Sequence, residues 1–225
     1  MAGRPELMGL FISFEGTEGC GKTTQIQLLA KFLESRGIAC ILTREPGGTA
    51  VGEAIREIFL RSSNTALIPL TELLLVTAAR VQHIHEVIMP GLAAGRIVLC
   101  DRFFDATAAY QGYAAGVPLE LIERSHELFC GNLAPDLTLL LDCPLELGIA
   151  RSRARNKAAG QELSEGRFED KEMAFHAKVR QGYFARADKA PERFHIIDAG
   201  ETIESIHENI VSSVTAKLRE KGYAV

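Results

Sequence analysis

The chain has 225 residues, 47% of them hydrophobic and 24% charged, and its 25 Lys and Arg against 29 Asp and Glu give a formal net charge of −4. This composition suits one α/β domain with a sizeable core better than two small independent ones. It excludes the broad basic field that duplex nucleic acid requires, so any polyanion binding has to be local.

Residues 1–6, Met-Ala-Gly-Arg-Pro-Glu, carry charge and proline where a secretory signal needs an apolar core, and no apolar run approaches membrane-spanning length. The chain reads as soluble and cytoplasmic. An apolar run over 8–14 predicts a buried strand, and residues 24–36 place Ile26, Leu28, Leu29, Phe32 and Leu33 at near-helical spacing before Gly37.

Between them lies Gly16-Thr17-Glu18-Gly19-Cys20-Gly21-Lys22-Thr23, which meets the phosphate-loop pattern G-x-x-x-x-G-K-[ST] in the required strand, loop, helix context. Glycines let backbone N–H groups turn inward, and the following helix offers unpaired N–H groups and its positive dipole end to phosphates. These eight residues, with Thr24 after them, form the expected ATP site. Lys22 reaches the outer phosphates and the Thr23 hydroxyl binds magnesium.

A second strand over 38–43 runs into Arg44-Glu45-Pro46-Gly47-Gly48-Thr49. That segment is either a ligand loop, with Pro46 a candidate substrate contact, or the entry to a helix capped by Thr49. A long helical pattern over 71–89 ends before Pro90 and carries Arg80 behind the small Ala78 and Ala79. Arg80 is a solvated cation or a ligand contact on this evidence.

The third strand, 96–102, ends in Asp101 and Arg102 at the edge that faces the ligand crevice of parallel α/β sheets. Asp101 is a candidate for holding magnesium or its water, or else it caps the next helix. Thr107 and Gln111, four apart in the small-residue stretch 105–116, suit one helix face and the edge of a base. A helix over 118–130 and a fourth strand over 137–142 follow.

Arg151-Ser152-Arg153-Ala154-Arg155-Asn156-Lys157 is basic and precedes a run of small and polar residues, so it reads as solvated charge or as a mobile lid over about 151–167. A helix over 169–186, a strand over 194–198 and a helix over 202–221 complete an alternation that predicts a parallel sheet covered on both faces. Five cysteines, odd in number and without a C-x-x-C pair, read as reduced thiols. His83 and His85, two apart within a helix, cannot face one another as ligands.

The phosphate loop, the Arg44 to Thr49 segment, Ala79-Arg80, Asp101-Arg102-Phe103, Tyr110-Gln111-Gly112 and the arginine-rich segment stand in the order found in thymidylate kinases. The chain resembles the bacterial form of that family from about Gly9 to its last helix. The resemblance implies a P-loop NTPase-type three-layer fold with a five-stranded parallel sheet and a short lid, forming one nucleoside monophosphate kinase domain over 1–225. It also implies a homodimer and magnesium-dependent transfer of the ATP γ-phosphoryl group to dTMP.

By the same resemblance, Glu18 sits near the sugar 3′-hydroxyl and Arg102 grips phosphates where donor and acceptor meet. Arg80 contacts the acceptor nucleotide, Thr107 and Gln111 meet the thymine edge, and Tyr110 lies against the deoxyribose. No arginine occupies the phosphate loop, so Arg151, Arg153 and Arg155 supply the catalytic cations from the lid, alongside Lys22. Val76 stands where many members stack a Phe on thymine, and Ala114-Ala115 where many carry an Arg. A nucleotide switch reading guanine through Asn-Lys-x-Asp is disfavoured, because Asn156-Lys157 continues as Ala158-Ala159.

Overall fold

Alternation along the first strand decides how the molecule is layered. In the computed structural model, which describes residues 9–61, 67–159, 167–168 and 171–224, β1 (Leu10–Glu15) is buried along its whole length. Successive side chains point to opposite faces of a sheet. Leu10, Ile12 and Phe14 therefore pack against Ile26, Leu29 and Leu33 of α1 (Lys22–Ser35) and Ile206, Ile210, Val214 and Leu218 of the last helix, α9 (Ile203–Glu220). Phe11 points the other way, onto Ile88, Leu92 and Phe103. Each such side chain contributes about 1.5–3 kcal/mol on full burial, and a strand covered on both faces must read as a continuous apolar run.

The remaining strands are β2 (Cys40–Arg44), β3 (Ile97–Asp101), β4 (Leu137–Asp142) and β5 (Phe194–Asp198). The sheet is parallel throughout, in the order β2-β3-β1-β4-β5. Phe14 pairs with Asp101 across β1 and β3, and Arg44 pairs with Asp101 across β2 and β3, so the carboxyl ends of three strands finish level. Chain order reverses on either side of β1, and the crevice at such a switch point is where parallel α/β sheets bind ligands.

Connecting these strands are α2 (Ala50–Leu60), α3 (Pro69–His83), α4 (Met89–Ala93), α5 (Phe104–Thr107), α6 (Leu119–Cys130), α7 (Leu145–Ala158) and α8 (Met173–Lys189). Thr49 caps α2, its hydroxyl accepting from the Gly52 N–H. α8 is tied to α5 and to the segment before β5 through Asp105, which is fully buried and paired with both Arg186 and Arg193.

The helix predicted to stop before Pro90 does not stop there. It starts at Pro69, widens into a π turn over Ile84–Ile88 and continues through Pro90 to Ala93. The Met89 N–H reaches back to the Ile84 carbonyl, and the lengthened ladder places the interruption where Pro90 has no N–H to give. A second π turn, Ala108–Ala114, follows α5. All five cysteines are free thiols, with Cys40 half-buried and the other four buried. The expectations for residues 1–6 and 8, and for most of the segment after α7, fall outside the described residues. Among those residues no helix is long and apolar enough to cross a membrane.

Candidate active site

The loop between β1 and α1 bends through Gly16, Gly19 and Gly21 at φ +138°, +68° and +95°. The constraint is tightest at Gly19, where a Cβ would stand 1.9 Å from the Gly148 carbonyl oxygen of α7. Gly21 offers no side chain to cap α1 and its first turn holds no acidic residue, so the helix presents its N–H groups to the loop interior. Lys22 Nζ lies against the carbonyl oxygens of Gly16 at 3.2 Å and Thr17 at 2.9 Å. Thr23 is exposed, and its hydroxyl donates to Asp101 Oδ2 at 3.1 Å.

Arg102 follows β3 with φ +70°, a conformation that an L side chain occupies only when its surroundings impose it. Its Nη1 donates to the Gly16 carbonyl at 2.8 Å and to the Tyr183 hydroxyl at 2.7 Å, and its guanidinium lies over the Tyr110 ring. Nη2 stands 3.6 Å from Glu18 Oε1. The Tyr110 hydroxyl donates to that same oxygen at 2.6 Å. Burial alone raises the Glu18 carboxyl, but His176, Arg102, Tyr110 and Lys22 outweigh it and hold the group down at about 2. Glu15, one residue before the loop, shows the reverse. Burial and the neighbouring Asp105 push it to about 8 against the opposing pull of Arg102 and the Phe103 N–H.

The opposite wall comes from α3 and the π turn after α5. Arg80 is 4% exposed; its Nε donates to Glu45 Oε2 at 2.7 Å and its Nη2 to Thr107 Oγ1 at 2.9 Å. Glu45 Oε1 is 2.9 Å from His83 Nδ1, and His83 Nε2 is 2.6 Å from Thr43 Oγ1. A buried carboxylate thus fixes Arg80 from behind. Gln111 Nε2 donates at 2.8 Å to Glu72, which also pairs with Arg167.

These elements enclose a cleft of about 1200 Å³. Of the residues singled out in the sequence, Glu18, Gly19, Cys20, Gly21, Lys22, Thr23, Thr24, Pro46, Val76, Arg80, Asp101, Arg102, Thr107, Tyr110, Gln111, Arg151 and Arg155 line it. Gly16 and Thr17 stand behind the loop as acceptors for Lys22. The arginine-rich segment is helical, forming the second half of α7, and Arg151 and Arg155 share a face because they are four apart. Arg153, two residues from each, is exposed and does not line the cleft. Of the lid expected over about 151–167, residues 160–166 lie outside the described residues. Arg167 and Phe168 are buried, with Phe168 on the cleft wall.

Sequence reasoning missed Glu45, His83, Glu72, Arg167 and His176. Glu45 and Arg80 are 35 residues apart and Arg167 and Glu72 are 95 apart, so no local pattern announces either pair. Only the extended Glu45-Pro46-Gly47-Gly48 run marked the first of them.

A thymidylate kinase family model matches residues 14–210. The thymidylate kinase of Geotalea uraniireducens is 50% identical over 214 residues, covering 95% of this chain and all of its own. That of Syntrophotalea carbinolica is 52% identical, covering 90% of this chain and 94% of its own. A crystal structure of the thymidylate kinase from Ehrlichia chaffeensis superposes with a TM-score of 0.73 at 34% identity, over 92% of this chain and 98% of that one.

Proposed function

Because the chain belongs to the thymidylate kinase family, we propose that its cleft divides into a donor half at the phosphate loop and an acceptor half at the Arg80 wall. The enzyme transfers the γ-phosphoryl group of ATP to dTMP, giving dTDP and ADP on the route to dTTP. The observation that carries the division is that two separately built cation sites, Lys22 on the loop and Arg80 on its Glu45 support, open on one cleft, with Arg102 between loop and wall.

Residues 16–24 wrap the triphosphate, with the N–H groups of the loop and of the α1 terminus directed at its oxygens. Lys22 exchanges the loop carbonyls that now hold it for the outer phosphates. Thr23 Oγ1 and Asp101 Oδ2 are hard oxygen donors 3.1 Å apart and fit magnesium, bound directly or through water. A magnesium ion held by Thr23 and Asp101 would supply positive charge that offsets the negative phosphates.

Arg80, with Nε and Nη2 committed to Glu45 and Thr107, offers its remaining edge to the acceptor phosphate. Val76, Pro46, Thr107 and Gln111 surround the base, Tyr110 lies beside the sugar, and Glu18 meets the 3′-hydroxyl. An acceptor phosphate oxygen attacks the γ-phosphorus as the bond to the departing ADP breaks. Little covalent work is left to protein groups, so Arg102, Arg151 and Arg155 act by alignment and by placing positive charge against the transferring oxygens. Closure over the cleft excludes water and limits ATP hydrolysis.

We further read the chain as a single cytoplasmic kinase domain acting as a homodimer. Leu74 and Val81 on α3 and Leu121 and Leu128 on α6 are exposed and recur at seven-residue spacing, which is the pattern of a helix face awaiting a partner. A coupled assay of ADP release tests the substrate assignment, with dTMP, dUMP, dCMP, dGMP, dAMP and UMP offered separately. The expected result is turnover strongly favouring dTMP. Equal turnover of several acceptors refutes the assignment of the base pocket.

A further inference from the structure

His176 lies in the first turn of α8 with no exposed surface, outside the lining of the cleft. Its Nδ1 is 3.4 Å from Glu18 Oε2. Among the described residues neither imidazole nitrogen has a conventional hydrogen-bond partner, and neither does Glu18 Oε2. Burying an imidazole without partners is unfavourable, and an aliphatic side chain fills such a place without that cost. The group that repays the burial is the carboxylate facing it.

The two oxygens of Glu18 therefore have different surroundings. Oε1 takes the Tyr110 hydroxyl and faces Arg102, whereas Oε2 is buried on the His176 side. The side chain as a whole keeps 12% exposure and lines the cleft. We propose that His176 is a positioning residue for the reaction: it anchors the rear oxygen of Glu18 so that the carboxylate is presented to the sugar 3′-hydroxyl of the acceptor. It touches neither nucleotide and acts only through Glu18. The 3.4 Å separation is longer than a well-formed hydrogen bond, and the anchoring requires it to close to one when the acceptor binds.

This inference rests on the assignment of Glu18 to the 3′-hydroxyl, and the test separates the two. The kinetic arm compares dTMP with 3′-deoxythymidine monophosphate in the wild type, His176→Leu and His176→Asn. The ratio of kcat/KM values is internal to whatever fraction of each variant folds. The wild type is expected to prefer dTMP roughly ten- to hundredfold, the range for a hydrogen bond to a charged group. His176→Leu narrows that preference to within about threefold, chiefly through KM, because the anchored geometry is lost. His176→Asn, whose amide nitrogen stands near the place of Nδ1, retains most of it.

The spectroscopic arm follows the His176 Nδ1 resonance in 15N-histidine-labelled enzyme at fixed pH, assigned by its loss in His176→Leu. Glu18→Gln is expected to move it. A resonance unmoved by Glu18→Gln, or a His176→Leu variant that keeps the full wild-type preference, overturns the proposal. A wild type indifferent to the 3′-hydroxyl, with a resonance that responds to Glu18→Gln, instead overturns the sugar assignment of Glu18 and leaves the His176 anchor standing.

Discussion

Glu45 offers the most direct test of how the acceptor half is built. It reaches Arg80 at 2.7 Å and His83 at 2.9 Å, and in the Arg80 pair both side chains are almost fully buried, at 5% and 4% exposure. Glu45→Ala leaves Arg80 buried with Thr107 as its hydrogen-bond partner. Breaking a buried ion pair from one side costs about 3–5 kcal/mol. Glu45→Gln keeps the shape and one accepting oxygen, so its expected loss is smaller, about 1–3 kcal/mol. Urea denaturation followed by far-UV circular dichroism reads both values.

The functional arm uses Glu45→Gln, the milder variant, in steady-state kinetics. Freed from its support, Arg80 should let KM for dTMP rise at least about tenfold, equivalent to about 1.4 kcal/mol, while KM for ATP stays near the wild-type value. Adding Glu45→Gln to Arg80→Met should change KM for dTMP little beyond Arg80→Met alone, because the carboxylate acts through the guanidinium. A Glu45→Gln enzyme within about 0.5 kcal/mol of wild-type stability, and within about twofold of its KM for dTMP, refutes the reasoning.

Two other predictions follow from the same geometry. Arg151→Met and Arg155→Met should each lower kcat on the order of 10²-fold or more, whereas Arg153→Met, off the cleft, should stay within about threefold; equal losses at all three positions contradict the assignment of the α7 faces. Glu15, raised from 4.5 to about 8 in the fold, makes the folded chain bind more protons than the unfolded chain between those values. Its stabilising contribution is fully present below about pH 4.5 and is lost as pH rises toward 8. Glu15→Gln imitates the protonated form, so its denaturation free energy should fall less than that of the wild type from pH 5 to pH 8. Parallel pH profiles for the two proteins contradict the shift.

Much of this architecture is legible in single stretches of sequence. β4 and β5 begin and end where their apolar runs do, and Thr49 caps α2 as its residue type suggests. The phosphate loop is legible for the same reason, since its chemistry is confined to consecutive residues. Proline at position 90 misled because the π turn over Ile84–Ile88, which ends two residues before it, accommodates the missing N–H and lets the helix continue to Ala93. Glycine-free φ +70° at Arg102 has no signature in the residue type. Glu45 with Arg80, Glu72 with Arg167 and Glu18 with His176 are pairings made by the sheet order, which brings distant elements side by side. The helix that carries Arg151 and Arg155 was not legible, because the arginine-rich stretch reads as solvated charge or a lid, and that Arg153 turns away required knowing which face of α7 meets the cleft.

The contact between Gly19 and Gly148 has a mechanical consequence. A Cβ on Gly148 would meet the Glu18 carbonyl oxygen at 2.4 Å, and one on Gly19 would meet the Gly148 carbonyl oxygen at 1.9 Å, so two main chains touch with no side chain between them. Main-chain contact has none of the rotamer slack that side chains provide. Arg151, three residues along α7 from Gly148, is therefore set out from the same point that shapes the phosphate loop. Like two tools clamped to one datum, they keep their spacing when the surrounding surface changes.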